Sequence, residues 1–345
     1  MMAGCVLLLG LLAACRAQFA PPTVNISLDE DPEVRWAPLT KVFDVEYLKK
    51  AAAEVIDSTV PKWVHQALIP IVTALEKYVP QPYGEIRGMA SNLGGSLSDV
   101  IILNFAYEVT AFCTSIVAQD KNGHVYHGRN LDYPHDVLRN MTVNVVFLKN
   151  GEVAYQGTTF AGYVGLWTGQ SPNKFTVSGD QRGKTNVVSA FLFRRSPVSW
   201  LVRETLEAAE DFQDAVMRLS KIPIITGVYY IVAGVRAGEG AVITRDRTGP
   251  ADIWPLEPCR EGRWYRVETN YDHWLPPPAR DHRNSGEVWC LTPLAQELWN
   301  QDRPGLAVST VTSEISIYLD IAVKGRPIKR ANIHHLIGYT SQVIA

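Results

Sequence analysis

The sequence predicts an α+β protein, with antiparallel sheet carrying helices on its faces. Three observations predict it. Strand-like runs come in hairpins: CTSIVAQD and HVYHGRNLD about Lys121-Asn122-Gly123, residues 143–149 and EVAYQGTTF about Asn150-Gly151, and VYYIVAGV with GAVITRD about a Gly-containing turn. Two helical segments, 197–209 and 212–220, lie between the second and third hairpins. At 345 residues, 46% of them apolar, the chain is long enough for a sizeable core as one large domain or two, and no repeat or low-complexity tract interrupts it.

Taken in order, the chain opens on an apolar run, VLLLGLL at 6–12, too short to span a bilayer and followed by small residues. It reads as a secretory signal over 1–17, with cleavage before Gln18, although no Lys or Arg precedes it; LAAC at 12–15 also resembles a bacterial lipoprotein box. The sequons Asn25-Ile26-Ser27 and Asn140-Met141-Thr142 make Asn25 and Asn140 glycosylation candidates. Residues 44–57 read as a helix. A second starts near Pro61 and carries Trp63, Val64, Leu68, Ile71, Val72, Leu75 and Val79 at helical spacing, with a kink at Pro70. That stripe suits a core face or, with Trp63 and Tyr78, a membrane surface; residues 191–200, edged by Arg194 and Arg195, offer a second apolar patch. A third helix runs from Ser96, with Asp99 completing a capping box, to about Tyr107. Beyond Pro276-Pro277-Pro278 the pattern weakens, although TVTSEISIYLDIAV reads as a strand.

The formal net charge of −2 gives no reason to expect a nucleic-acid partner. Once a signal is removed, Cys113, Cys259 and Cys290 remain, an odd number that draws attention to a reactive thiol. Cys113 stands between a helical run and a strand-like one, and three readings fit it. It is a silent core residue, or a papain-like nucleophile needing a distant His, or a residue that becomes a new N-terminus. His124 and His127 lie in the next strand and read as packing or surface residues. If the Phe112–Cys113 bond is cut, the exposed α-amino group has a pKa of about 7.7–8.0 and serves as base to its own thiol. Such a thiol needs no metal or cofactor, and His124-Val125-Tyr126-His127 lacks the Glu of a zinc-protease motif.

CTSIVAQD, HGRNLDYP, GYVGLWTGQSP, VITRDRTGPADIWPL and VETNYDHW together resemble the acid amidases that hydrolyse N-acylethanolamines, relatives of acid ceramidase among the choloylglycine hydrolase-type N-terminal-nucleophile hydrolases. The resemblance runs from about Asn25 to Arg283. It implies a four-layer αββα sandwich and self-cleavage into an α chain, 18–112, and a β chain, 113–345, that stay together as a heterodimer. It also implies a lipid amide substrate such as N-palmitoylethanolamine and a lysosomal location, where the apolar stripe around Trp63 and the patch edged by Arg194 and Arg195 are expected to give peripheral contact with anionic membrane. Carried over by motif, the catalytic set is Cys113, Arg129, Asp132, Asn270 and Arg283, with Asn270 at the oxyanion. The chain departs from the pattern at GDQRGKTNVVSAFLF, which lacks a Glu of the family's Trp-rich stretch and leaves Asn186 as a partial substitute, and again from about Asn284. The departures leave two alternatives beside the amidase: an impaired, lipid-binding form, and ceramide hydrolysis.

Overall fold

The computed structural model describes residues 21–59, 80–106, 112–133, 136–183, 196–259, 264–276, 278 and 331–339. In chain order the strands are β1 (Thr23–Ser27), β2 (Phe112–Gln119), β3 (Val125–Tyr133), β4 (Thr142–Lys149), β5 (Glu152–Phe160), β6 (Thr168–Ser171), β7 (Phe175–Gln181), β8 (Val228–Gly234), β9 (Gly240–Arg245), β10 (Pro250–Pro255), β11 (Tyr265–Glu268) and β12 (Ala331–Tyr339). The α-helices are α1 (Val45–Thr59), α2 (Pro80–Leu93), α3 (Leu97–Ala106), α4 (Asp136–Asn140), α5 (Val198–Ala208) and α6 (Phe212–Lys221).

The strands form two sheets. An eight-stranded sheet has the order β1-β4-β5-β6-β7-β8-β9-β10, and a four-stranded sheet the order β11-β2-β3-β12. All pairings are antiparallel except β1 with β4, which is parallel. The three predicted hairpins are β2–β3, β4–β5 and β8–β9. The tightest turn is Asn150-Gly151, with φ of 55° and 81°, the paired positive values that a two-residue hairpin requires.

One face of the large sheet carries Val143, Val145, Phe147, Val177, Tyr230 and Ile243 into a core shared with helices α1–α3, α5 and α6. The opposite face of β8 and β9 meets the small sheet through Val117, Val125, Tyr229, Ile231, Ala233 and Val242. The α+β class is therefore present, with the face-to-face sheets of the sandwich. The described residues supply the helical layer on the large sheet, and short α4 runs beside β12. Among the described residues no helix is long and apolar enough to cross a membrane.

Four helices, α1, α3, α5 and α6, match their predicted places closely. Asp44 caps α1, its Oδ1 accepting from the Tyr47 N–H at 2.7 Å. Ser96 accepts from the Asp99 N–H at 3.4 Å at the start of α3. Asp211 does the same for Asp214 in α6. Helix α2 was not expected, because Pro80, Pro82, Gly84 and Gly88 are poor helix formers; tertiary packing overrides propensity here. Strands β1, β6, β7, β10, β11 and β12 were not expected either. The segment 191–200 calls for a correction: Val198 and Trp200 are buried, with Trp200 packed 5.9 Å from Phe105, so that end of the patch closes the core. The helix from Pro61, residues 191–195 and the strand-like 310–323 lie outside the described residues.

Candidate active site

Strand alternation decides what meets at the centre. In β2, Cys113, Ser115 and Val117 share the face turned to the large sheet, and cross-strand register sets Ser115 against Arg129 and Val117 against His127 in β3. On the other side β11 sets Glu268 against Ser115 and continues to Asn270.

Cys113 is fully buried. Its backbone N–H donates to Asn270 Oδ1 at 2.8 Å, and Asn270 Nδ2 donates to the Gln181 carbonyl at 2.7 Å. One partner is a donor and the other an acceptor, so the amide has a single orientation that satisfies both. Arg129 Nη2 donates to Cys113 Sγ at 3.2 Å, an arrangement that favours thiolate over thiol. The guanidinium is itself buried and anchored on the large sheet. Nη1 donates to the Trp167 carbonyl and to Thr168 Oγ1 at 2.6 Å, and Nη2 to the Gly179 carbonyl at 2.9 Å.

Beneath the thiol lies a polar layer that the sequence reading missed. Asp180, fully buried on β7, is 3.8 Å from Arg129 Nη2 and accepts from Ser115 Oγ at 2.8 Å. Ser115 and Ser178 hydroxyls are 2.9 Å apart. His127 Nδ1 and Nε2 meet Thr176 Oγ1 and Ser178 Oγ at 2.8 and 2.9 Å. Burial, with the Arg129 charge added, pushes His127 down to about 3, so it is a neutral packing residue and no base for the thiol. His124 sits at the turn before β3, not within it, and pairs with Asp120 at 3.0 Å.

Asp272 anchors the far side. Arg182 Nε reaches its Oδ1 at 2.7 Å, and the Tyr229 hydroxyl donates to the same oxygen at 2.7 Å. Burial would raise the Asp272 carboxyl, but hydrogen bonds from Arg182 and Tyr229 and the Arg182 charge hold it below the usual range.

Of the remaining predicted residues, Asp132 lies in β3 with its backbone paired to Phe112, the residue on the other side of the candidate scissile bond. Arg283 and Asn186 lie outside the described residues. Asn25, on edge strand β1, and Asn140, ending α4, are both exposed.

Comparison with known proteins gives two family matches. The model described as linear amide C–N hydrolases, choloylglycine hydrolase family, matches residues 113–305, beginning at Cys113 itself. The model described as the beta subunit of N-acylethanolamine-hydrolyzing acid amidase matches residues 19–79, all upstream of Cys113 and within the segment expected to be the α chain. N-acylethanolamine-hydrolyzing acid amidase of Cavia porcellus is 50% identical over 92% of this chain and 92% of its own length. The Mus musculus protein of that name is 50% identical over 90% of this chain and 87% of its own. Acid ceramidase of Homo sapiens is 34% identical over 81% of this chain and 76% of its own.

Proposed function

From the premise that the chain belongs to the choloylglycine hydrolase family of linear amide C–N hydrolases, we propose that it hydrolyses N-acylethanolamines to fatty acid and ethanolamine through Cys113. The observation that carries this reading is the double hold on one residue: Asn270 on the Cys113 nitrogen at 2.8 Å and Arg129 on its sulfur at 3.2 Å.

Activation comes first. Cys113 Sγ adds to the Phe112 carbonyl, the Phe112–Cys113 C–N bond breaks, and water hydrolyses the resulting thioester, leaving the amino group of Cys113 free. Asn270 Oδ1 then holds an amine where it had held an amide. In turnover that amine takes the thiol proton, and Sγ attacks the acyl carbonyl of the lipid amide. Asn270 Nδ2 carries two hydrogens; one goes to Gln181, and the other is the donor for the oxyanion. The amine product leaves with the proton, water hydrolyses acyl-Cys113, and the fatty acid departs. Asp132 and Arg283 complete the set, holding the amine and the substrate.

The reading extends to processing and place: a signal removed before Gln18, glycans on exposed Asn25 and Asn140, delivery to the lysosome and, through the helix from Pro61, contact with anionic membrane. Intact mass after incubation at neutral and acidic pH tests activation; a new end at Cys113 is expected at acidic pH, and a stable single chain at every pH overturns it. Cys113→Ala should be uncleaved and inactive on N-palmitoylethanolamine. Asn270→Ala should lose about 10²–10³ in kcat. Ceramide, offered beside N-palmitoylethanolamine, should be the poorer substrate.

A further inference from the structure

The site contains a second buried acid that the mechanism above does not use. Glu268 stands directly opposite Ser115 across the β11–β2 pair, two residues before Asn270, and is 2% exposed. Cross-strand partners share a face, so Ser115 and Glu268 lie side by side one step below Cys113 and Asn270. Glu268 Oε1 accepts from the Thr269 N–H at 3.0 Å, and Oε2 makes no hydrogen bond among the described residues.

The groups around it explain why it differs from Asp180. From β7, Asp180 brings a carboxylate already matched to Arg129 of β3 at 3.8 Å and to the Ser115 hydroxyl at 2.8 Å. From the far side, Asp272 is matched to Arg182 at 2.7 Å and to the β8 residue Tyr229. On β11 itself, Arg266 turns to the Pro255 carbonyl at 2.9 Å and to Glu257 at 3.5 Å. Each nearby cation thus serves another acid. An ionised Glu268 would be a further buried anion with no cation of its own, set against Asp180 and competing with it for Ser115 and Arg129.

We propose that Glu268 is a positioning residue that acts as a neutral carboxylic acid: while it keeps its proton the Asp180–Arg129–Cys113 alignment holds, and its ionisation disrupts that alignment and closes the site at the alkaline side. In support, burial holds this carboxyl well above the usual range, and the Asp180 and Asp272 charges add to the effect against the Thr269 N–H and Arg182. The proton stays on Glu268 throughout turnover. It transfers nothing and touches no substrate atom; it limits the pH range in which Arg129 stays on Sγ.

Glu268→Gln keeps the shape and fixes the neutral form. In the full-length, acid-processed protein, wild-type kcat/KM for N-palmitoylethanolamine should fall about tenfold per pH unit once Glu268 ionises. The Glu268→Gln variant should match wild type at the acid plateau and shed that decline. An unchanged alkaline limb overturns the proposal. Only this kinetic arm rests on the amidase reading, and a second arm is independent of activity. A carboxyl raised on folding stabilises below its unfolded pKa, and that stability is lost as pH rises through the folded value. Wild-type Tm should therefore fall across that window, and Glu268→Gln should lack this component. Infrared spectra of wild type should also show a protonated carboxyl band that persists above the ordinary carboxylate range. Absence of the band overturns the proposal even if the variant does not fold. Loss of the Tm component without any hydrolysis by wild type would sustain the role of Glu268 and sink the amidase reading.

Discussion

Arg129 shows how much one residue can be asked to hold. Its planar fork reaches a carbonyl and a hydroxyl with Nη1, and a carbonyl and Cys113 Sγ with Nη2. A lysine ammonium is a point charge on a flexible stem and cannot span these groups. Arg129→Lys should leave Thr168 or Gly179 without its donor at about 1–3 kcal/mol per buried group, and activity should fall further than Tm indicates. Glu85 is the counterpart in the core. It accepts from Arg35 Nη1 at 2.7 Å, Trp36 Nε1 at 2.7 Å and Arg203 Nη2 at 2.8 Å, while Arg203 Nε donates to Tyr155 Oη at 2.8 Å. Burial alone would raise Glu85, but the charge and hydrogen bonds of Arg203, with Trp36 and Arg35, bring it below the usual range. Its stabilisation is thus present above the unfolded carboxylate value of about 4.3 and is lost only as pH falls through the lower folded value. Tm should hold near pH 5 and drop once the pH falls below the unfolded carboxylate value. Glu85→Gln, which leaves two buried arginines, should cost about 3–5 kcal/mol by chemical denaturation.

At the scale of elements, turn chemistry was legible and interior polarity was not. Asn150-Gly151 and Lys121-Asn122-Gly123 announce their hairpins because positive φ needs such residues. Strand β7 reads F-T-V-S-G-D-Q, with Thr176, Ser178 and Asp180 on one face. Alternation of this kind normally marks a strand with one face in water. Here that face is turned inward to Ser115, His127 and Arg129, so the pattern that should have revealed the floor of the site argued against it. Helix α2 failed for the opposite reason. Gly88, a poor helix former, is required because an added Cβ would fall 1.7 Å from the Glu33 carbonyl oxygen. Gly88→Ala would raise helix propensity by about 1 kcal/mol, yet the contact should make the protein less stable by about 1–3 kcal/mol, read as a lower denaturant midpoint at unchanged slope.

Across the whole molecule, the layout from Cys113 to Arg245 was largely readable, since local hairpins and one helix pair dominate it. Long-range pairing was not. Nothing in TVNIS indicates a parallel partner more than a hundred residues away, yet Thr23–Ser27 lies along Asn144–Leu148 on the rim of the large sheet. The candidate cut falls in the other sheet, at β2. Around β1, Trp36 meets Phe147 edge-on at 5.8 Å, Glu85 clasps Arg203, and the Asn104 amide donates to the Gly162 carbonyl and accepts from Val164 N–H, both at 2.9 Å. After cleavage the two pieces should therefore co-elute in high salt and separate only when denaturant melts both. The severed fragment needs no docking step, because every contact of its interface was made while it was still the same chain. Quaternary structure would then be inherited from tertiary structure, and a diluted sample would part at the pace of unfolding and not of a reversible association.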